Sequence, residues 1–329
     1  MVSRRFFAFF LACFCCLLPG CAERPISSRL VVSSLGVACG STPWTAVLEI
    51  VREEQNETIT VQGEDLTAIF SAAERETGEP LYLGALQSIV FSGVPDADAL
   101  RDCLRRLLAD GRVAPNTQIA LCDDALSLYS EEITGDTVTA LLTRQYTNSR
   151  RNGLKELLNL LEDPGRDGLI PWLSAEEGRL REQGTVATGQ SDYTAPWQPE
   201  ELCRLLLGSI SEMRFALPVG QGEAGILLRR LAVSGADFSN RMTGVTLQAE
   251  AAVQSVSGSV SREALEAALQ NELRQRLSAF TGVMRRTGSD LLGLSARAVL
   301  SGHAPRRALP REIQYTLHLV LRDPRGLLR

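Results

Sequence analysis

The chain is poor in the residues that most often carry chemistry. Of its 34 basic side chains only Lys155 is a lysine, and 39 acidic ones leave a net charge of −5. An acidic chain does not hold nucleic acid or anionic lipid by charge, so no nucleic-acid partner is expected. Aromatic residues are 5% of the chain, too few to line a sugar groove. The two histidines are His303, in the loop-like Ser301-Gly302-His303-Ala304-Pro305, and His318, on the polar side of an alternating stretch. There is no GxSxG, no HExxH and no phosphate-cradling glycine loop with a lysine. The glycines from Gly282 to Gly293 follow a helical pattern rather than a strand, so a dinucleotide fingerprint fails on context. The acid pairs Asp123-Asp124 and Glu131-Glu132 read as solvated acids at element ends rather than cation ligands. No catalytic residue, metal site or cofactor is expected, and the chain reads as non-enzymatic. A hydrolase would require the fold to assemble a serine and an aspartate around His303.

Beyond Cys21 no CxxC pair exists, which argues against a zinc or redox motif. Cys39, Cys103, Cys122 and Cys203 stand far apart among apolar neighbours. They read as buried thiols, with one or two disulfides as the alternative in an oxidising compartment. No stretch after Cys21 approaches the roughly 20 apolar residues of a membrane helix.

The strongest local pattern is at the N terminus. Arg4 and Arg5 precede an uncharged, almost wholly apolar run from Phe6 to Leu18, followed by Pro19, Gly20 and Cys21. That is the layout of a secretory signal peptide, with a run too short to span a bilayer comfortably. Leu18-Pro19-Gly20-Cys21 resembles a bacterial lipobox, which implies cleavage after Gly20 and a thioether-linked lipid on Cys21. Each buried CH2 contributes roughly 0.8 kcal/mol, so two or three acyl chains make a stable anchor. Residues 1–20 are thus expected to be a signal peptide. The rest is expected on the outer face of the cytoplasmic membrane, tethered by Cys21. The alternative is an ordinary signal peptide that ends beside a cysteine.

The remainder reads as α+β, in two to three small mixed domains. In residues 21–130, strands are expected at Leu30–Val37 and Trp44–Val51, joined as a hairpin through Cys39–Pro43. A helix from Glu64 to Thr77 stops at Gly78. Strands follow at Leu81–Gly84, Ser88–Phe91 and Thr117–Cys122. Asp96 caps a helix carrying Leu100, Cys103, Leu104, Leu107 and Leu108. Residues 131–222 look less regular, with a helix at Leu154–Leu161, a mobile loop or linker near 178–197, and a short helix at Leu202–Leu206 with Pro199 in its first turn. Residues 223–329 carry strands at Ala224–Ala236 and Gly244–Val256, a long helix from the Ser261 cap to about Arg286, and a last strand at Glu312–Leu321. This C-terminal domain is expected to be an antiparallel sheet packed on one long helix.

Several stretches, in this order, resemble the Ger(x)C family, the C-subunit lipoproteins of spore germinant receptors in spore-forming Firmicutes. They are the lipobox, Val61–Leu66 with Glu79–Leu86, the helix Leu100–Asp110 with its following strand, and Leu154–Leu158 through Pro171. Gly235–Phe238 to Gly244 and Ser289-Asp290-Leu291-Leu292-Gly293-Leu294 complete the series. The chain departs from the family pattern at Ala22, Ala85 and Gln87, and in Ala304–Pro310. The resemblance implies a non-enzymatic lipoprotein of the spore inner membrane, partnered by the A and B membrane subunits of a nutrient germinant receptor and needed to start germination. It carries no established catalytic or ligand-binding residues. The competing reading is a solute-binding lipoprotein of a membrane transporter, which would show two α/β lobes with parallel βαβ units around a cleft.

Overall fold

The computed structural model describes residues 29–53, 56–129, 133–145, 153–163, 165–193, 196–238, 242–303 and 312–328. The signal-like segment, Gly20 and Cys21 lie outside the described residues. The elements form two sheets.

The first sheet contains β1 (Leu30–Ala38), β2 (Trp44–Ile50), β3 (Glu57–Gly63), β4 (Leu81–Tyr82), β5 (Ser88–Ser92), β6 (Gln118–Cys122), β7 (Leu169–Glu176) and β8 (Arg179–Ala187). Their order is β3-β2-β1-β5-β6-β7-β8, with β4 beside β1. The β1–β2 hairpin is antiparallel as expected. The centre is parallel: β1 to β5, β5 to β6 and β6 to β7.

That centre is covered on both faces, which explains its nearly continuous apolar strands. On one face Ile89, Phe91, Ile119 and Leu121 meet α1 (Leu66–Thr77), α2 (Ala97–Asp110) and α5 (Leu154–Glu162). On the other, Val90, Ala120 and Cys122 meet α3 (Ala125–Leu128) and α4 (Gly135–Gln145) through Leu128, Val138 and Leu142. The helix signals act as their chemistry dictates. Asp65 and Asp96 each accept a backbone N–H three residues on, at 2.9 Å. Gly78 and Gly111 end their helices in the left-handed region.

The second sheet, in the order β12-β11-β10-β9, contains β9 (Met213–Val219), β10 (Gly222–Asp237), β11 (Thr243–Ser257) and β12 (Ile313–Arg322). Val245, Leu247, Ala249, Ala251 and Val253 of β11 share a core with Leu265, Leu269, Leu273, Leu277, Phe280 and Met284 of α7 (Arg262–Thr287). Ser261 caps α7, accepting from Ala264 N at 3.2 Å. Strands β9, β10 and β11 are antiparallel, but β12 runs parallel to β11. The 26 residues of α7 span about 39 Å at 1.5 Å per residue. The helix carries the chain back along the sheet, so the next strand starts from the same end as β11.

Two expectations of organisation are corrected. Residues 179–187, the first half of the loop expected near 178–197, are a strand: β8 pairs antiparallel with β7 from Glu176–Arg179 to Leu169–Ala187, and turns follow at 188–193. Glu177 and Gly178 have φ of 51° and 72°, the two left-handed residues of a type I′ hairpin turn. The polar composition reflects the exposed half of β8, while Gly184, Thr185, Val186 and Ala187 are buried. Residues 131–222 are likewise not a separate unit. Strands β7 and β8 extend the first sheet, whereas β9 belongs to the second. Pro199 precedes the Glu200 cap of α6 (Glu201–Leu206) rather than standing in its first turn.

Candidate functional site

The Ser289–Leu294 stretch sits where the two sheets meet. Gly288, with φ of 67°, ends α7, and the chain turns directly into a buried segment. Ser289, Asp290, Leu291, Leu292 and Leu294 are all buried. The Asp290 carboxylate accepts from Leu294 N at 2.8 Å and Ser295 N at 2.7 Å. It thereby caps α8 (Leu294–Leu300) from four residues before its first residue, where Gly293 supplies the left-handed turn.

The backbone of Asp290 is held from the first half of the chain. Its N–H donates to Asp167 Oδ2 at 2.5 Å, and its carbonyl accepts from Asp167 N at 3.0 Å. Asp167 Oδ1 accepts from the Thr188 hydroxyl at 3.1 Å, and that hydroxyl accepts from Gly168 N at 2.9 Å. Alongside, Ala296 N donates to Gly165 O at 3.2 Å. Burial pushes the Asp167 carboxyl above the usual carboxylate range, opposed by the hydrogen bonds from Asp290 N–H and Thr188. A second tie joins the halves: Arg204 of α6 meets Glu182 of β8 at 2.9 Å. Burial raises the Glu182 carboxyl, and Arg204 opposes the rise. The arrangement is a clamp whose work is to fix one sheet against the other.

A cleft of about 370 Å³ opens on the first half. Trp44, Leu66, Val94 and Pro95 make its apolar wall, Cys39 and Cys103 line it, and Arg106, paired with Asp65 at 3.0 Å, stands at its rim. The Cys39 and Cys103 thiols stand close enough there to perturb each other's titration. Cys122 and Cys203 lie apart, in the cores of the first and second sheets respectively. All four are free thiols in this structure.

A buried polar cluster escaped the sequence reading. Glu49 Oε2 accepts from Ser33 Oγ at 2.6 Å and from Gly135 N, at the start of α4, at 2.8 Å. Nearby, Ser34 bonds Ser88 Oγ at 2.8 Å and also bonds Tyr129. The available signal was an acid and two serines inside otherwise apolar β-prone runs.

The remaining candidates are not gathered into a site. His318 is on the exposed side of β12. The His303 ring lies 5.8 Å from that of Phe238, tilted by 53°. Asp124 caps α3, accepting from Leu126 N at 2.9 Å, as its position at an element end suggested; Glu131 and Glu132 lie outside the described residues. Among the described residues no three His, Cys, Asp or Glu side chains are grouped to hold a metal ion. No helix among them is long and apolar enough to cross a membrane.

The parallel βαβ units that a solute-binding lipoprotein would show are present in the first half. The second half is three antiparallel strands with a parallel fourth, packed on α7 with α6 and α8 in the same core, so the described residues form no second lobe of the same kind. No protein-family model matches the chain, and no curated protein matches it in sequence. The fold is similar to that in the crystal structure of the GerBC protein, with a TM-score of 0.52 at 10% identity, over 88% of this chain and 97% of that one. The chain therefore has a GerBC-like α+β fold.

Proposed function

We propose that this chain is a lipid-anchored, non-enzymatic C subunit of a nutrient germinant receptor, acting with A-type and B-type membrane subunits to start spore germination. The observation that carries the reading is the extent of the fold similarity: 97% of the GerBC chain is matched by 88% of this one. Both sheets and the clamp between them fall within a chain that also carries the lipobox-like Leu18–Cys21 and the signature-like Asp290–Gly293. A lipid on Cys21 would place the folded part beside the membrane, where an interface rather than a reaction supplies the binding energy.

Affinity isolation from the detergent-solubilised inner membrane of dormant spores tests this. Recovery with a multispanning permease-like protein and an A-type subunit is the expected result. Changing Cys21→Ala should release the chain from the membrane and abolish labelling by a fatty-acid probe. Absence from spores, or recovery with transporter subunits on growing cells, overturns the reading in favour of solute binding.

A further inference from the structure

We infer that Cys39 and Cys103 form a redox site at the cleft, where a disulfide oxidant converts the two thiols into an intramolecular disulfide. The placement carries this. Cys39 directly follows β1, its N–H fixed to Ser92 O at 2.8 Å. The adjoining turn is seated closely: a Cβ on Gly93 would come within 2.6 Å of Gly40 N. Cys103 projects from α2 into the same core, and Cys39 packs against that core. The fold brings the two cysteines to the same cleft across 64 positions of sequence. Rotation about the side-chain bonds has to bring the sulfurs to an S–S bond of about 2.05 Å. Both residues line the cleft, which gives a small oxidant access.

The surroundings divide the labour. The neighbouring Cys39 thiol and the Arg106 guanidinium hold the Cys103 thiol below its usual value, and Cys39 is held above its own. Cys103 therefore reaches the thiolate first and attacks one sulfur of the oxidant. That step forms a mixed disulfide at Cys103 and expels one thiolate. Cys39 then loses its proton and attacks the Cys103 sulfur, forming Cys39–Cys103 and expelling the second thiolate. Two thiols are oxidised, one disulfide is reduced, and the two protons end on the released thiols. Cys122 and Cys203 have no such arrangement. Burial pushes both thiols up, Cys203 to about 12. The bond would tie the turn after β1 to α2 and close a loop holding β2 to β5 and α1. The inference stands whether or not the chain assembles with membrane subunits.

Peptide mapping decides it. The full chain is treated with oxidised glutathione, the free thiols are blocked, and the protein is cut with trypsin. Cleavage after Arg29, Arg52, Arg101 and Arg105 isolates each cysteine on its own peptide. The expected product is residues 30–52 linked to 102–105, with Cys122 and Cys203 blocked as free thiols. The oxidised protein should melt at least about 5 °C higher than the reduced one. In Cys39→Ser, Cys103 should instead retain a glutathione adduct, since nothing resolves it. Wild-type protein yielding only glutathione adducts, or Cys39 and Cys103 both blocked as free thiols, overturns the inference without recourse to any variant.

Discussion

Changing Asp290→Ala should loosen the clamp between the sheets. The substitution leaves the backbone bonds between Asp290 and Asp167 possible but removes both acceptors of α8. Leu294 N and Ser295 N lose charge-assisted bonds of 2.8 and 2.7 Å. Hydrogen bonds to charged groups contribute about 1.5–3 kcal/mol each, and a buried orphan donor costs about 1–3 kcal/mol. Leu294 N is buried, but Ser295 N is nearer solvent, and water can replace the bond there. A loss of about 3 kcal/mol follows. Urea unfolding with a slope near 3 kcal/mol/M would show a midpoint lowered by about 1 M. Hydrogen exchange provides the local readout: amides of residues 294–300 should lose protection before those of β5 and β6. A midpoint within about 0.2 M of wild type, with α8 still protected, would refute the account of Asp290 as the cap that holds the junction.

Two further predictions concern the same junction. The folded-state carboxyl of Asp167 holds its proton more tightly than the unfolded one. Its contribution to stability is therefore present below the ordinary carboxylate pKa and is lost as pH rises through the raised value. Asp167→Asn should flatten that part of the stability–pH curve; an unchanged slope in urea unfolding between pH 3.5 and 7 would exclude the residue as its source. At Gly165 a Cβ would meet Ala296 Cβ at 2.7 Å and Cα at 3.0 Å. Gly165→Ala should cost about 1–3 kcal/mol by overpacking, and a melting temperature equal to wild type would show that the two segments are not in close contact.

The local elements were largely legible because their signals are local. Asp65, Asp96 and Ser261 announce helix starts, Gly78 and Gly111 announce stops, and β11 alternates cleanly enough that its buried face can be read directly. The failures have physical causes as well. Polar composition suggests a mobile loop or linker near 178–197, but a hairpin strand such as residues 179–187 needs only one covered face and a turn with two left-handed residues. That turn, Glu177-Gly178, is a weaker signal than Asn-Gly. The direction of β12 was hidden because alternation reports which face is buried and says nothing of strand polarity; the path of α7 decides it.

What the sequence by itself determined was helices α1, α2, α5, α6 and α7 and most strands, the acidic net charge, the lack of known catalytic motifs and the lipobox-like N terminus; the helices and strands rest on spacing within a few residues, whereas the short α3 and α8 and the helix α4 carry weaker local signals. Only the tertiary structure decided which elements share a sheet. It brought Asp167 to Asp290 across 123 positions and set Cys39 beside Cys103. It also buried Ser289–Leu294 and made it a clamp between the sheets. Those partners are separated by most of a domain, and nothing local to either one encodes the other. Their meeting follows from burying two apolar sheet faces at once.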